Sequence, residues 1–278
     1  MRRCNPMVGD DLPFDALPMW YPAMPERPSI SVRLRVAWAL LLELLLGSTG
    51  CSALLYTPTP HVAPMLEGPG ETEVMVRLDP DQGVSGYVAA SPLPNLVGFV
   101  ARAPEGGYDS TFAKRYTEWG GGLYVGDGPF RRYEFLVGVG QGRIQTVDAP
   151  LFEGPFRYTL RERRHFVQVN VSAYQYGRRN QPDRSFQAIF SLRLAQARYE
   201  ETRIENLDTG SPLRTRPGFG QTFVEGGAQM RAGLGPATFH LQIGMSRPVA
   251  DHLPADFHYT PLFAAVGVGL RFDALPAW

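Results

Sequence analysis

The sequence predicts an all-β fold: an up-and-down antiparallel transmembrane β-barrel of about ten strands, with eight as the alternative. Three observations predict it. From Glu71 onward, apolar residues alternate with polar or small ones at period two. Several of these segments reach the about 9–11 tilted residues that span a bilayer. The connections between them alternate short and long, as in barrels with short turns on one side of a membrane and long loops on the other. The composition agrees: 30 Gly and 25 Pro favour strands and turns over helices. Lys plus Arg, 27, equals Asp plus Glu, 27, so no net field points to a nucleic-acid partner.

Taken in order, residues 1–50 read as an N-terminal extension and a lipoprotein signal. The first 23 residues are Pro-rich and unlike a signal, and Met24 is a more natural start. Arg33 and Arg35 precede the apolar run Val36–Leu46, and Gly47-Ser-Thr-Gly50 leads into Cys51. The basic, apolar and small-residue order is that of a secretory signal, and the run is shorter than the about 20 residues of a spanning helix. Cleavage before Cys51 makes its sulfur the lipidation site and discards Cys4, leaving no thiol pair. Phe14–Trp20 nearly repeats as Phe272–Trp278, an echo without a physical explanation.

Residues 51–71 read as a lipidated, extended tether, because Pro58, Pro60, Pro64 and Pro69 each fix φ and remove a donor. The barrel occupies 72–272, in strands over 72–79, 83–91, 95–103, 114–126, 129–143, 164–177, 184–199, 218–234, 236–247 and 261–272, and 273–278 is a short tail. The long connections 104–113, 144–163, 200–217 and 248–260 are expected outside the cell. Both termini, and the lipid, are expected on the periplasmic side.

Alternation assigns the faces. Val167, Val169 and Val171, like Phe239, Leu241 and Ile243, are expected outward, and their polar neighbours inward. The inward set forms a lumen network of Arg132, Glu134, Gln168, Asn170, Arg193, Glu225, Gln229, Arg231, His240, Gln242 and Arg271. Both signs of charge in one narrow space favour a filled lumen. Inward glycines such as Gly138, Gly140, Gly227, Gly244 and Gly267 are expected to make room for the arginines.

The tether Tyr56-Thr-Pro-Thr-Pro-His-Val-Ala-Pro-Met-Leu-Glu-Gly-Pro-Gly-Glu71 resembles a segment of uncharacterised Bacteroidota outer-membrane β-barrel lipoproteins. Tyr56, Pro58, Pro64, Leu66, Gly70 and Glu71 fit that pattern, while Pro69 replaces a usual basic residue. Tyr87–Pro92, Phe166–Asn170, Phe223–Arg231 and Leu241–Ser246 are similar too. The resemblance implies a lipid-anchored outer-membrane barrel and brings no activity or catalytic residue.

Signatures of chemistry are sparse. There is no Gly-x-Ser-x-Gly elbow and no phosphate loop. Asp251, His252, Asp256 and His258 share one loop, where a rim hydrolase or metal site is the minor alternative to an ordinary polar loop. His240 reads as a hydrogen-bonded lumen residue. Arg161, Arg163 and Arg164 form a basic cluster that could meet acidic lipopolysaccharide from outside. The expected function is a structural or surface-interaction barrel without catalytic residues, metal or cofactor. Its partners are outer-membrane lipid, lipopolysaccharide or envelope proteins met through the exterior loops. The alternatives are a narrow pore or transport barrel and a soluble lipocalin-like periplasmic lipid binder.

Overall fold

The computed structural model describes residues 53–79, 83–106, 112–126, 132–148, 155–178, 181–200, 202–249 and 257–273. The signal segment, Cys51, Phe14–Trp20, Asp251, His252 and Asp256 lie outside the described residues, as does the His258 side chain. The strands are β1 (Ala53–Tyr56), β2 (Glu71–Asp79), β3 (Gly83–Leu93), β4 (Leu96–Gly106), β5 (Phe112–Val125), β6 (Arg132–Asp148) and β7 (Phe156–Arg178). They continue as β8 (Gln181–Tyr199), β9 (Thr202–Asn206), β10 (Pro212–Arg216), β11 (Phe219–Leu234), β12 (Ala237–Pro248), β13 (Phe257–Tyr259) and β14 (Leu262–Asp273).

Ten of these strands form a closed antiparallel barrel in the order β2-β3-β4-β5-β6-β7-β8-β11-β12-β14. β14 returns to β2, with Val266 opposite Leu78 and Asp273 opposite Glu71. The β9–β10 hairpin stands on the upper edge of β7, where Phe156 faces Asn206. Ten strands, not eight, is therefore the count. Turns such as the one at Gly235, in the left-handed region at φ 61°, mark one rim. The β9–β10 hairpin and the β12–β14 connection mark the other, here termed the long-connection rim.

The pattern of burial is inverted relative to a soluble barrel. Leu192, Ile243 and Met245 are 60%, 58% and 61% exposed on the outer wall, whereas Arg164, Arg193 and Glu225 are 0% exposed inside. Outward Val, Leu, Ile, Phe and Met recur on β2 to β8, β11, β12 and β14, forming a belt around the barrel.

Two sequence expectations change. Residues 161–163, expected in a loop, lie within β7, so alternation splits the basic cluster: Arg164 is buried inside, while Arg161 and Arg163 face out. More consequentially, residues 57–66 are not a tether outside the barrel but cross its interior, buried throughout. β1 pairs in parallel with β13 at the long-connection rim, and the segment leaves at the opposite rim into β2. Ala53 and Asp273 therefore lie at opposite rims. The physical reason lies in the prolines. A Pro-rich extended strand leaves its carbonyls unpaired, and the barrel interior supplies donors to them.

Candidate functional site: a threaded lumen

The carbonyls of the segment 56–66 are met by polar side chains of the inner wall. Along the segment, from the long-connection rim inward, carbonyl after carbonyl accepts from a wall side chain. Lys114 Nζ donates to Thr57 O at 2.7 Å. Arg77 donates to His61 O at 3.0 Å. Gln168 and Asn170 both donate to Val62 O, at 2.6 and 3.1 Å. Arg231 donates to the carbonyls of Ala63 and Pro64, and Arg271 also donates to Pro64 O, at 2.8 Å. Arg132 closes the series on the carbonyls of Met65 and Leu66. The amide of Met65 donates to the wall carboxylate of Glu134 at 2.6 Å. Prolines fit this chemistry because each keeps its carbonyl while contributing no N–H that would need a buried acceptor.

Three charge clusters accompany the segment. Near the long-connection rim, Arg164 pairs with Glu162 at 2.7 Å, and its guanidinium lies 4.8 Å from the Tyr56 ring and 5.0 Å from that of Tyr116. Tyr56 stacks on Phe223 at 3.7 Å. In the middle, Glu225 accepts from the Tyr56 hydroxyl and lies 3.2 Å from His61 Nε2. Arg193 faces Glu118 at 3.4 Å and Glu225 at 3.6 Å, and donates to Gln168 at 2.8 Å and to Thr59 at 3.1 Å. At the opposite end, Glu73 accepts from Arg231 and Arg271, each at 3.0 Å. Buried charges persist only when paired and hydrogen-bonded, and each cluster meets that condition through both wall and plug.

The structure turns every residue of the expected lumen network inward and distributes them along the length of the plug. Arg132, Glu134, Arg193, Glu225, Arg231 and Arg271 touch the threaded segment directly. Gln242 contacts it through His61 O at 3.4 Å and accepts from Arg77. Gln229 and His240 form a side branch, in which the Gln229 carboxamide oxygen accepts from Arg231 Nε at 2.9 Å and from His240 Nδ1 at 2.6 Å. His240 is thus a hydrogen-bonded lumen residue, held by Gln229 and by Thr238. The glycines make room chiefly for rings. A Cβ at Gly138 would strike Phe166, one at Gly244 would strike Phe263, and one at Gly227 would press His61 of the plug at 3.1 Å; only Gly267 yields to an arginine, Arg77.

Glu73, Arg77, Lys114 and Glu118 are further lumen residues, and the same period-two rule applied to β2 and β5 finds them. Tyr56, Thr59 and His61 carry no such signal. Among the described residues no group of three His, Cys, Asp or Glu converges in a way that would hold a metal ion.

No family model matches the chain, and no curated protein matches it. Among solved structures, it is similar to the translocator domain of the autotransporter NalP from Neisseria meningitidis. That similarity is 11% identity at a TM-score of 0.43, covering 87% of this chain and 97% of that domain.

Proposed function

We propose that this chain is an outer-membrane β-barrel closed by its own N-terminal segment, with a structural or surface-interaction role carried at the long-connection rim. One observation carries this reading: the wall is apolar outside and charged inside, and the charged inside is occupied by residues 56–66. An apolar outer belt requires lipid around it, and a sheet in lipid must close, as this one does. A soluble lipid binder needs the reverse, an apolar interior. A pore needs an open path where Arg193, Arg231 and Glu225 grip the plug.

Short turns face the periplasm in barrels of this kind, so the long connections, and with them β1, belong to the exterior. Acylation of Cys51, two residues before β1, then fastens the outer end of the plug at that rim. The Bacteroidota lipoprotein resemblance of the Tyr56–Glu71 segment fits the same arrangement.

Two measurements test the reading. The folded protein in detergent should migrate fast on a gel and shift only on boiling, as closed membrane barrels do. Mass spectrometry of the mature N-terminus should find acylated Cys51. A chain that denatures in detergent without heating would overturn the barrel reading, and a mature terminus elsewhere would overturn the anchor.

A further inference from the structure

Just beyond the apolar belt, the outer wall of β5 to β8 carries a continuous basic surface. The register aligns Thr117, Gln141, Arg163 and Arg198 across four successive strands. The next row toward the long-connection rim is Arg115, Arg143 and Arg161. On the belt side of both rows lie Trp119, Val139 and His165. All five arginines are exposed, and Arg203 of β9 extends the surface opposite Thr159.

Residues directly opposed in an antiparallel sheet bring their Cβ atoms to about 4.5–5.5 Å, and like charges so placed destabilise the sheet. Arg115, Arg143 and Arg161 have no ion pair among the described residues. The carboxylate paired within the surface is Glu200, 2.8 Å from Arg163. Two depressions of ≈ 350 and ≈ 730 Å³ adjoin there, both bordered by Arg143, Arg161 and Glu200. Uncompensated guanidinium groups side by side call for a multivalent anion, and their planar forks suit phosphate oxygens. Their level, immediately beyond the belt, is that of lipid headgroups.

We propose that this surface binds the phosphate groups of a lipopolysaccharide-type glycolipid. The inference rests on the membrane-barrel reading above and names its ligand. A headgroup with several phosphates matches a row of arginines spaced one strand apart, whereas a glycerophospholipid offers one phosphate. The site also redraws the basic cluster read from the sequence: Arg164 leaves for the lumen, and Arg115, Arg143 and Arg198 join Arg161 and Arg163.

The test titrates the purified, detergent-folded full-length mature protein with diphosphoryl lipid A, its dephosphorylated form and phosphatidylglycerol. Wild-type protein should prefer diphosphoryl lipid A, and added salt should weaken the binding. Arg115→Gln/Arg143→Gln/Arg161→Gln should lower affinity at least about tenfold, the loss expected when roughly 1.4 kcal/mol of contacts disappears. Arg247→Gln, outward on β12, should leave it unchanged. If the triple variant does not fold, Arg143→Gln alone, at the centre of the row, should give a smaller loss in the same direction. Binding unchanged in the arginine variants, or equal binding of phosphatidylglycerol, would overturn the proposal. The heat shift is read on every sample. A heat-modifiable wild type that ignores lipid A refutes the glycolipid site alone, and a wild type without a heat shift refutes the membrane barrel as well.

Discussion

Glu225 is where plug and wall converge, touching Tyr56 and His61 from one side and facing Arg193 and Arg164 from the other. Removing one member of a buried charged set costs more than the pair contributes, because the partners stay out of water uncompensated. Glu225→Ala is therefore expected to destabilise the barrel by about 3–5 kcal/mol, read as a lower denaturant midpoint or earlier loss of the fast-migrating band. Glu200→Ala breaks the outer pair with Arg163 and is expected to cost about 0–1 kcal/mol. Equal losses from the two would contradict the distinction between lumen and outer wall. Glu225 and Arg193 are readable in the sequence because each lies between outward apolar residues in a regular strand. Tyr56 and His61 are not, since an extended Pro-rich segment has no face until a wall surrounds it. What the carbonyls of such a segment require, donors, is a chemical clue that periodicity alone does not register.

At the scale of elements, the strands follow from alternation wherever the outward residues are apolar, as in β8, β11 and β12. The start of β7 does not. From Phe156 to Arg164 the inward residues are Tyr158, Leu160, Glu162 and Arg164, while Arg157, Arg161 and Arg163 stand outward, so the period is masked and the stretch resembles a loop. The connections carry the orientation. Asp208 lies exposed at the tip of the β9–β10 hairpin, and Pro236 lies exposed in the turn between β11 and β12 at the other rim. On the proposed cleavage before Cys51 and its acylation, no free thiol remains, and single-cysteine variants are clean probes. On intact cells a membrane-impermeant maleimide is expected to label Asp208→Cys and not Pro236→Cys; the opposite pattern would place the long connections in the periplasm. Cells permeabilised before labelling should show both.

On the scale of the whole molecule, ten strands enclose only a little more room than eight, whose interior side chains just fill. Here one extended segment takes up the remaining space, and its carbonyls bind together strands that are far apart in the wall: Arg77 on β2, Lys114 on β5, Gln168 on β7 and Arg231 on β11. Closure of the sheet and filling of its lumen are thus one arrangement, and the proposed role at the outer wall and rim follows from a lumen that is already occupied. Single-channel recording in planar bilayers tests this most directly. Wild-type protein is expected to insert without steady conductance, and deletion of residues 53–66 is expected to open a water-filled path that conducts. Large, steady conductance from the wild type would contradict the sealed lumen.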